Sequence, residues 1–311
     1  MKKVPILFLI FNREDVALQS LASIKEYSPD RLYIAADGPR ADRPEEYALC
    51  ESTRNSVLKA IDWSCEVKTL FRDKNLGCTN AVLGAITWFF ENEEYGIIIE
   101  DDCLIHQDFY RLCEELLPKY RNEEKIMLIT ASNHTPDLRN ADKLCFSNVC
   151  HIWGWASWHR AWNKMDIKMT QWTQYRYKLG YLINNFGFIY ACFRLFYWNQ
   201  AYKKDDKGSW DTRWFFSVFS NNGLCLSSHV NLSVNIGITM GGTHYEKGDK
   251  DPYTHIPFGS ISWPIQIPDK IEITKETIWA EQKEFIRIRK IGLRKILWKY
   301  MRKLNIKLIK K

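Results

Sequence analysis

The stretch Tyr95-Gly-Ile-Ile-Ile-Glu-Asp-Asp-Cys-Leu104 constrains the chain most. A short apolar, β-branched run reads as a strand buried on both faces. It ends abruptly in three carboxylates, Glu100, Asp101 and Asp102. Three ionised acids cannot sit unpaired in a dry core. They require a cation, a wet cleft, or both. In open α/β sheets the ligand crevice lies beyond the carboxyl ends of the strands. Hard oxygen ligands there suit Mg²⁺ or Mn²⁺, which in turn grip phosphate. An acidic, solvated turn is the plain alternative.

The flanking pattern agrees with that placement. Strands are expected at Val4–Ile10, Arg31–Ala36, Cys65–Phe71, Gly96–Ile99 and Lys125–Thr130. Helices are expected at Glu14–Tyr27, Pro44–Ile61, Cys78–Asn92 and Gln107–Tyr120. Strands alternating with helices of this length imply βαβ units and a mainly parallel sheet flanked by helices. The polar clusters of this half all follow strands. Arg13 follows the first, Asp37-Gly38 ends the second, and Arg72–Gly77 follows the third. Asp37 could accept from a ribose or base edge, or simply build a turn. Arg72 and Lys74 could meet phosphate oxygens before a helix N-terminus. There is no GxxxxGK[ST], and no GxGxxG follows the first strand, which disfavours a P-loop or Rossmann dinucleotide enzyme.

The second half changes character. His151–Asp166 is dense in Trp, Gln171–Lys203 reads as amphipathic helix, and Trp210–Asn221 as a further helix. Leu224–Ser228 and Leu232–Ile236 read as short strands, and the stretch 237–264 as a lid-like loop. Most of the 13 Trp are expected to fill the core. The nine Cys show no CxxC pair and read as free thiols in a reducing compartment.

Lys2-Lys3 and the apolar run after it look like the start of a signal peptide. Asn12–Asp15 break that run, so it reads as a first strand. No run is long enough to span a bilayer. Residues 280–311 hold 12 Lys+Arg against 2 Asp+Glu, while the whole chain carries +7, so the remaining body is slightly acidic. Ile286, Leu293, Ile296, Leu297, Tyr300, Met301 and Leu304 fall roughly on one face of this tail. A basic amphipathic helix of this kind suits an anionic membrane surface or packs on the body. It has no base-stacking surface, so no nucleic-acid partner is expected.

The order of these pieces over roughly residues 4–245 resembles the GT-A family of nucleotide-sugar glycosyltransferases. Glu100-Asp101-Asp102 is similar to its DxD-type motif in the EDD form of inverting N-acetylglucosaminyltransferases. Similar segments occur in bacterial family 2 transferases. Arg13, Asp37-Gly38 and Arg72–Gly77, which includes Asn75, match the donor-side pattern. His151–Trp158 resembles the acceptor-side Gly-Trp region, and Trp210-Asp211 the helix start that supplies the base.

The resemblance implies a GT-A, Rossmann-like α/β fold. Residues 1–135 would form the nucleotide-sugar half, 136–265 the acceptor and base half, and 266–311 the basic helical tail. It implies Asp102 as direct ligand to Mn²⁺ or Mg²⁺, with His244 the candidate late contact. Arg13, Asp37, Arg72, Asn75, Glu100 and Asp101 would hold the donor, and Asp211 would be the base. The donor would be a nucleoside diphosphate sugar, with UDP expected, and the acceptor a saccharide or glycolipid. The setting would be cytoplasmic, peripheral to the inner face of the membrane. A nucleotidyltransferase making sugar nucleotides, or a non-catalytic glycan-binding protein, are the rival readings. The first should carry a Gly-rich loop where Phe11-Asn12-Arg13-Glu14 stands.

Overall fold

In the computed structural model, the described residues are 3–204, 209–237, 253 and 255–288. The chain forms a mixed α/β fold around an eight-stranded, mostly parallel sheet flanked by helices. Its strands are β1 (Ile6–Ile10), β2 (Arg31–Ala36), β3 (Glu66–Phe71), β4 (Tyr95–Glu100), β6 (Ile126–Thr130), β7 (Leu144–Ser147), β8 (Trp155–Trp158) and β9 (Leu224–Ser228), in the spatial order β3-β2-β1-β4-β8-β6-β9-β7. A separate ribbon pairs β5 (Cys103–Ile105) with β10 (Ser233–Asn235).

Side chains alternate across the sheet as the two-residue period of a strand demands. Ile6, Phe8 and Ile10 of β1 face one core, shared with α1 (Glu14–Tyr27) and α4 (Gln107–Lys119). Leu7 and Leu9 face the other, shared with α3 (Gly77–Asn92) and α9 (Trp210–Ser220). Burial on both faces explains the unbroken apolar runs in β1, β2 and β4. α2 (Glu45–Lys59) packs beside α1.

Two features depart from the sequence reading. The Trp-rich segment contains β8, which runs antiparallel between β4 and β6, and the short α5 (His159–Trp162). Gln171–Lys203 is broken into α6 (Trp172–Tyr175), α7 (Leu179–Phe186) and α8 (Phe188–Lys203). Gly187 sits at φ 73, a left-handed geometry that stops α7 and that glycine adopts without strain. These helices and α9 build a third core around Trp172, Trp198, Phe186 and Phe216. Trp155, Trp158, Trp172, Trp198 and Trp214 are among the largest fully buried side chains, so Trp largely serves packing here.

α10 spans Lys275–Ile288, and Phe285 on it stacks on Tyr190 at 4.4 Å. The rest of the basic tail, 289–311, lies outside the described residues. No helix among the described residues is long and apolar enough to cross a membrane.

Candidate active site

β1, β2, β3, β4 and β6 all run in the same direction, so their carboxyl ends share one edge of the sheet. β4 delivers Glu100 to this edge, and the turn into β5 carries Asp101 and Asp102. Arg13, just after β1, donates to Asp101 Oδ1 at 2.5 Å and to Asp102 Oδ2 at 2.9 Å. The β5–β10 ribbon places Asn235 opposite Cys103. Its Nδ2 donates to Asp102 Oδ1 at 3.1 Å, and Ile236 N donates to the Asp102 carbonyl at 2.8 Å. Gly237 lies directly against the Asp102 carboxylate. Nothing in the sequence marked Asn235; only the antiparallel pairing brings it to the acids.

Asp211 opens α9 in its first turn, where a carboxylate suits the positive end of the helix dipole. The helix cap is Ser209, whose hydroxyl also bonds the Asp211 carboxylate. Asp211 lies close enough for its charge to act on both Glu100 and Cys78. The second half of the chain thus brings an acid within electrostatic reach of Glu100 at the end of β4.

The electrostatics follow from this crowding. Burial holds Glu100 well above the usual carboxylate range, reinforced by the charges of Asp102, Asp101 and Asp211 and opposed by Arg13. Burial pushes Asp101 up to about 6 even though Arg13 pulls it down. Burial works against the Arg13 charge, but Asp101 and Asp102 outweigh it and bind its proton more tightly. Burial, then the charges of Glu100, Asp211 and Asp37, push the thiol of Cys78 up to about 11.

The other expected donor residues gather around the N-terminus of α3. Asp37 is nearly buried, and its carboxylate accepts from the backbone N–H groups of Gly38, Leu76 and Gly77 at 2.9–3.1 Å. Any ribose or base would compete with these bonds. Asn75 Nδ2 donates to the Gly38 carbonyl at 2.8 Å, and its Oδ1 accepts from Gly77 N at 3.1 Å. Asn75 therefore builds the loop. Arg54, not singled out in the sequence, donates from Nη2 to the carbonyls of Asp37 at 3.1 Å and Arg72 at 2.7 Å, tying the ends of β2 and β3 together. The Arg72 guanidinium lies over Gly84 of α3. Gly38 is required by close approach, since a Cβ there would stand 2.5 Å from the Lys74 backbone. His244 lies outside the described residues.

Two cavities open along the same edge of the sheet. A cleft of about 510 Å³ over the ends of β2 and β3 is lined by Arg40, Arg43, Tyr47 and Lys74 among others. A smaller cavity of about 240 Å³ lies toward β6, lined by His134, Trp153, Tyr253 and Asn235 among others.

The carboxylates at the end of β4 are hard oxygen donors of the kind a divalent cation takes, although both oxygens of Asp102 already accept hydrogen bonds, from Arg13 and Asn235. Asp101 Oδ2 is buried with no hydrogen-bond partner among the described residues. No three His, Cys, Asp or Glu among the described residues form a ready ligand cluster, so the rest of a metal's shell would come from water or ligand oxygens.

No family model matches this chain, and no curated protein matches it in sequence. Among solved structures it is similar to the crystal structure of HddC from Yersinia pseudotuberculosis, at 10% identity and a TM-score of 0.30, over 50% of this chain and 77% of that one. The same protein complexed with GMP-PN matches at 8% identity, with the same TM-score and coverage. Neither likeness is close enough to bear on the chemistry of this chain.

Proposed function

We propose that this protein transfers a sugar from a nucleoside diphosphate donor to a saccharide or lipid-linked saccharide, with inversion at the transferred carbon. The observation that carries the reading is the placement of Asp211. Asp211, from the second half, lies within electrostatic reach of Glu100 at the end of β4. In this reading the phosphates lie toward the cleft of Arg40, Arg43, Lys74 and Asp73, where Arg40 and Arg43 pair with Glu46, and Asp102 holds the divalent cation. That cation, when bound, neutralises charge on the departing diphosphate. Asp211 takes the proton from the acceptor hydroxyl as it attacks the sugar carbon from the face opposite the diphosphate. One base suffices, because the diphosphate leaves as a stabilised anion. Arg13 keeps Asp101 and Asp102 in place and holds down the like-charge repulsion among them. The GT-A resemblance over residues 4–245, with its EDD motif, supports the same assignment.

The test is calorimetric titration of UDP with Mn²⁺ present and with chelator. Metal should tighten binding strongly, and Asp102→Asn should remove most of that gain while the melting temperature holds. Equal affinity with and without metal would overturn the reading. Release of pyrophosphate from a nucleoside triphosphate and a sugar phosphate would replace it with nucleotidyl transfer.

A further inference from the structure

Two of the nine cysteines face one another. Cys225 lies on β9, and Cys150 lies in the loop from β7 to β8 that also carries His151 and Trp153. Their sulfurs are 3.4 Å apart, although 75 residues separate them along the chain. The fold brings them together. β7 and β9 pair antiparallel, with Ser147 opposite Cys225 and Cys145 opposite Ser227. β7 ends at Ser147, and the turn after it is fastened at two points. Val149 N donates to Ser147 Oγ at 3.0 Å, and Asn148 Nδ2 donates to the Asn185 carbonyl at 2.6 Å. The chain then presents Cys150 to Cys225. Cys145 is engaged elsewhere, its Sγ 3.3 Å from Ser227 Oγ.

The two thiols are not equivalent. Cys225 is 1% exposed, and its S–H donates to the Cys150 sulfur. Burial, then the Cys150 sulfur, hold Cys225 in its thiol form. Cys150 is half-buried, so a reagent arriving from solvent meets it first. A separation of 3.4 Å lies within the roughly 3–3.5 Å from which positioned atoms react. An S–S bond is about 2.05 Å long, so the sulfurs must close by roughly 1.4 Å. Cys150 sits on a loop rather than a strand and can supply that movement.

We propose that Cys150 and Cys225 are a reversible dithiol–disulfide pair, oxidised by a peroxide, that ties the β7–β8 loop to β9. The assignment does not depend on the transferase reading. The Cys150 thiolate attacks the peroxide. An S–O bond forms, the O–O bond breaks, and hydroxide leaves and takes up a proton. The Cys225 sulfur then attacks the sulfenic acid on Cys150. An S–S bond forms, the S–O bond breaks, and the hydroxyl leaves as water with the Cys225 proton. Two thiols and one hydrogen peroxide thus give one disulfide and two waters, and the two electrons lost by sulfur go to the peroxide. A thiol reductant reverses the bond by exchange. A buried, protonated thiol is a slow nucleophile toward a free reagent. Cys225 needs no such encounter, because its target is already beside it.

The test uses the full chain, reduced and then exposed to hydrogen peroxide under native conditions. Remaining thiols are blocked before digestion. Cleavage after Phe146 separates Cys145 from Cys150, so peptide mass spectrometry tells which of them is linked. A Cys150–Cys225 linked pair should appear, two hydrogens lighter than its separate peptides, and dithiothreitol should remove it. Cys150→Ser changes a half-buried loop position and should keep its melting temperature. It should lose the link, and its Cys225 should stay a thiol. Cys225→Ala should instead accumulate a sulfenic acid on Cys150 that dimedone traps. A native chain in which Cys150 stops at the sulfenic or sulfinic acid while Cys225 stays free would overturn the pairing. So would a link from Cys225 to Cys145, or two untouched thiols at a peroxide concentration that oxidises free cysteine. Oxidation of Cys225 at the native rate in Cys150→Ser would overturn the role of Cys150 as the first to react.

Discussion

Arg13 grips Asp101 at 2.5 Å and Asp102 at 2.9 Å across the parallel pairing of β1 with β4. This cation is the chief opposition to the upward push on Glu100 and Asp101. Arg13→Gln should therefore raise both further. Metal-dependent binding of UDP needs these acids ionised, so its pH midpoint should move upward in the variant. Calorimetry from pH 5 to 8 checks this, and an unmoved midpoint would show that Arg13 serves packing alone.

Asp211 and Asp102 should separate cleanly in kinetics. Asp211→Asn keeps the size of the side chain but removes its basicity. Transfer should fall by roughly 10²–10⁴, the usual contribution of a positioned base, with UDP affinity little changed. Asp102→Asn should damage UDP affinity and transfer together. Initial rates and nucleotide titrations on both variants decide it. Near-normal turnover by Asp211→Asn at neutral pH would dismiss Asp211 as the base.

The acid cluster should also leave a mark on stability. Asp101 stands at about 6 in the fold against an ordinary 3.8. A raised acid favours the folded state when protonated. Its contribution is fully present below about pH 4 and is lost as pH rises through 6. An amide does not titrate, so Asp101→Asn should gain stability relative to the native chain between pH 4 and pH 7, by up to about 3 kcal/mol. Denaturant midpoints at both pH values measure this. A constant difference between the two proteins would contradict it.

Cys78 offers a chemical probe of the same field. Part of its side chain reaches solvent on the first turn of α3, while the desolvation of the rest, then the charges of Glu100, Asp211 and Asp37, push its thiol up to about 11. At pH 8 it should alkylate roughly 100-fold more slowly than an ordinary exposed thiol, since the thiolate is the nucleophile. Glu100→Gln should speed the reaction, and bound UDP should protect the thiol. Mass-resolved iodoacetamide labelling reads all three effects. Rapid labelling at pH 8 would mean that neither burial nor the charges of Glu100, Asp211 and Asp37 hold the thiol protonated there.

The first half of this fold was legible because each strand is buried on both faces and each helix has a clear period. Glu14–Tyr27 and Arg31–Ala36 fall within the bounds read from sequence. β8 was not legible, because Trp155-Ala-Ser-Trp158 shows neither alternation nor a β-branched run. Its strand state comes from β4 and β6 on either side, a tertiary cause. The acids and Asp211 could be named from sequence; that Asn235 pairs with Asp102 through the β5–β10 ribbon could not. Asp37 and Asn75 show the opposite problem. Both residue types suit ligand contact, but here both turn to the backbone of their own loops, a use that residue identity alone does not distinguish.

The wedged strand β8 has a consequence for synthesis of the chain. β4 emerges from the ribosome well before its neighbour Trp155–Trp158. Until that neighbour arrives, the backbone of Tyr95–Ile98 is an open, apolar sheet edge, the kind that pairs with other chains. A truncation ending near residue 150 would keep every acid of the β4 end and still be expected to aggregate. The strand that closes this edge also stands between β4 and β6, so the acids at the end of β4 and the aromatic cavity at the end of β6 reach their final spacing in the same step.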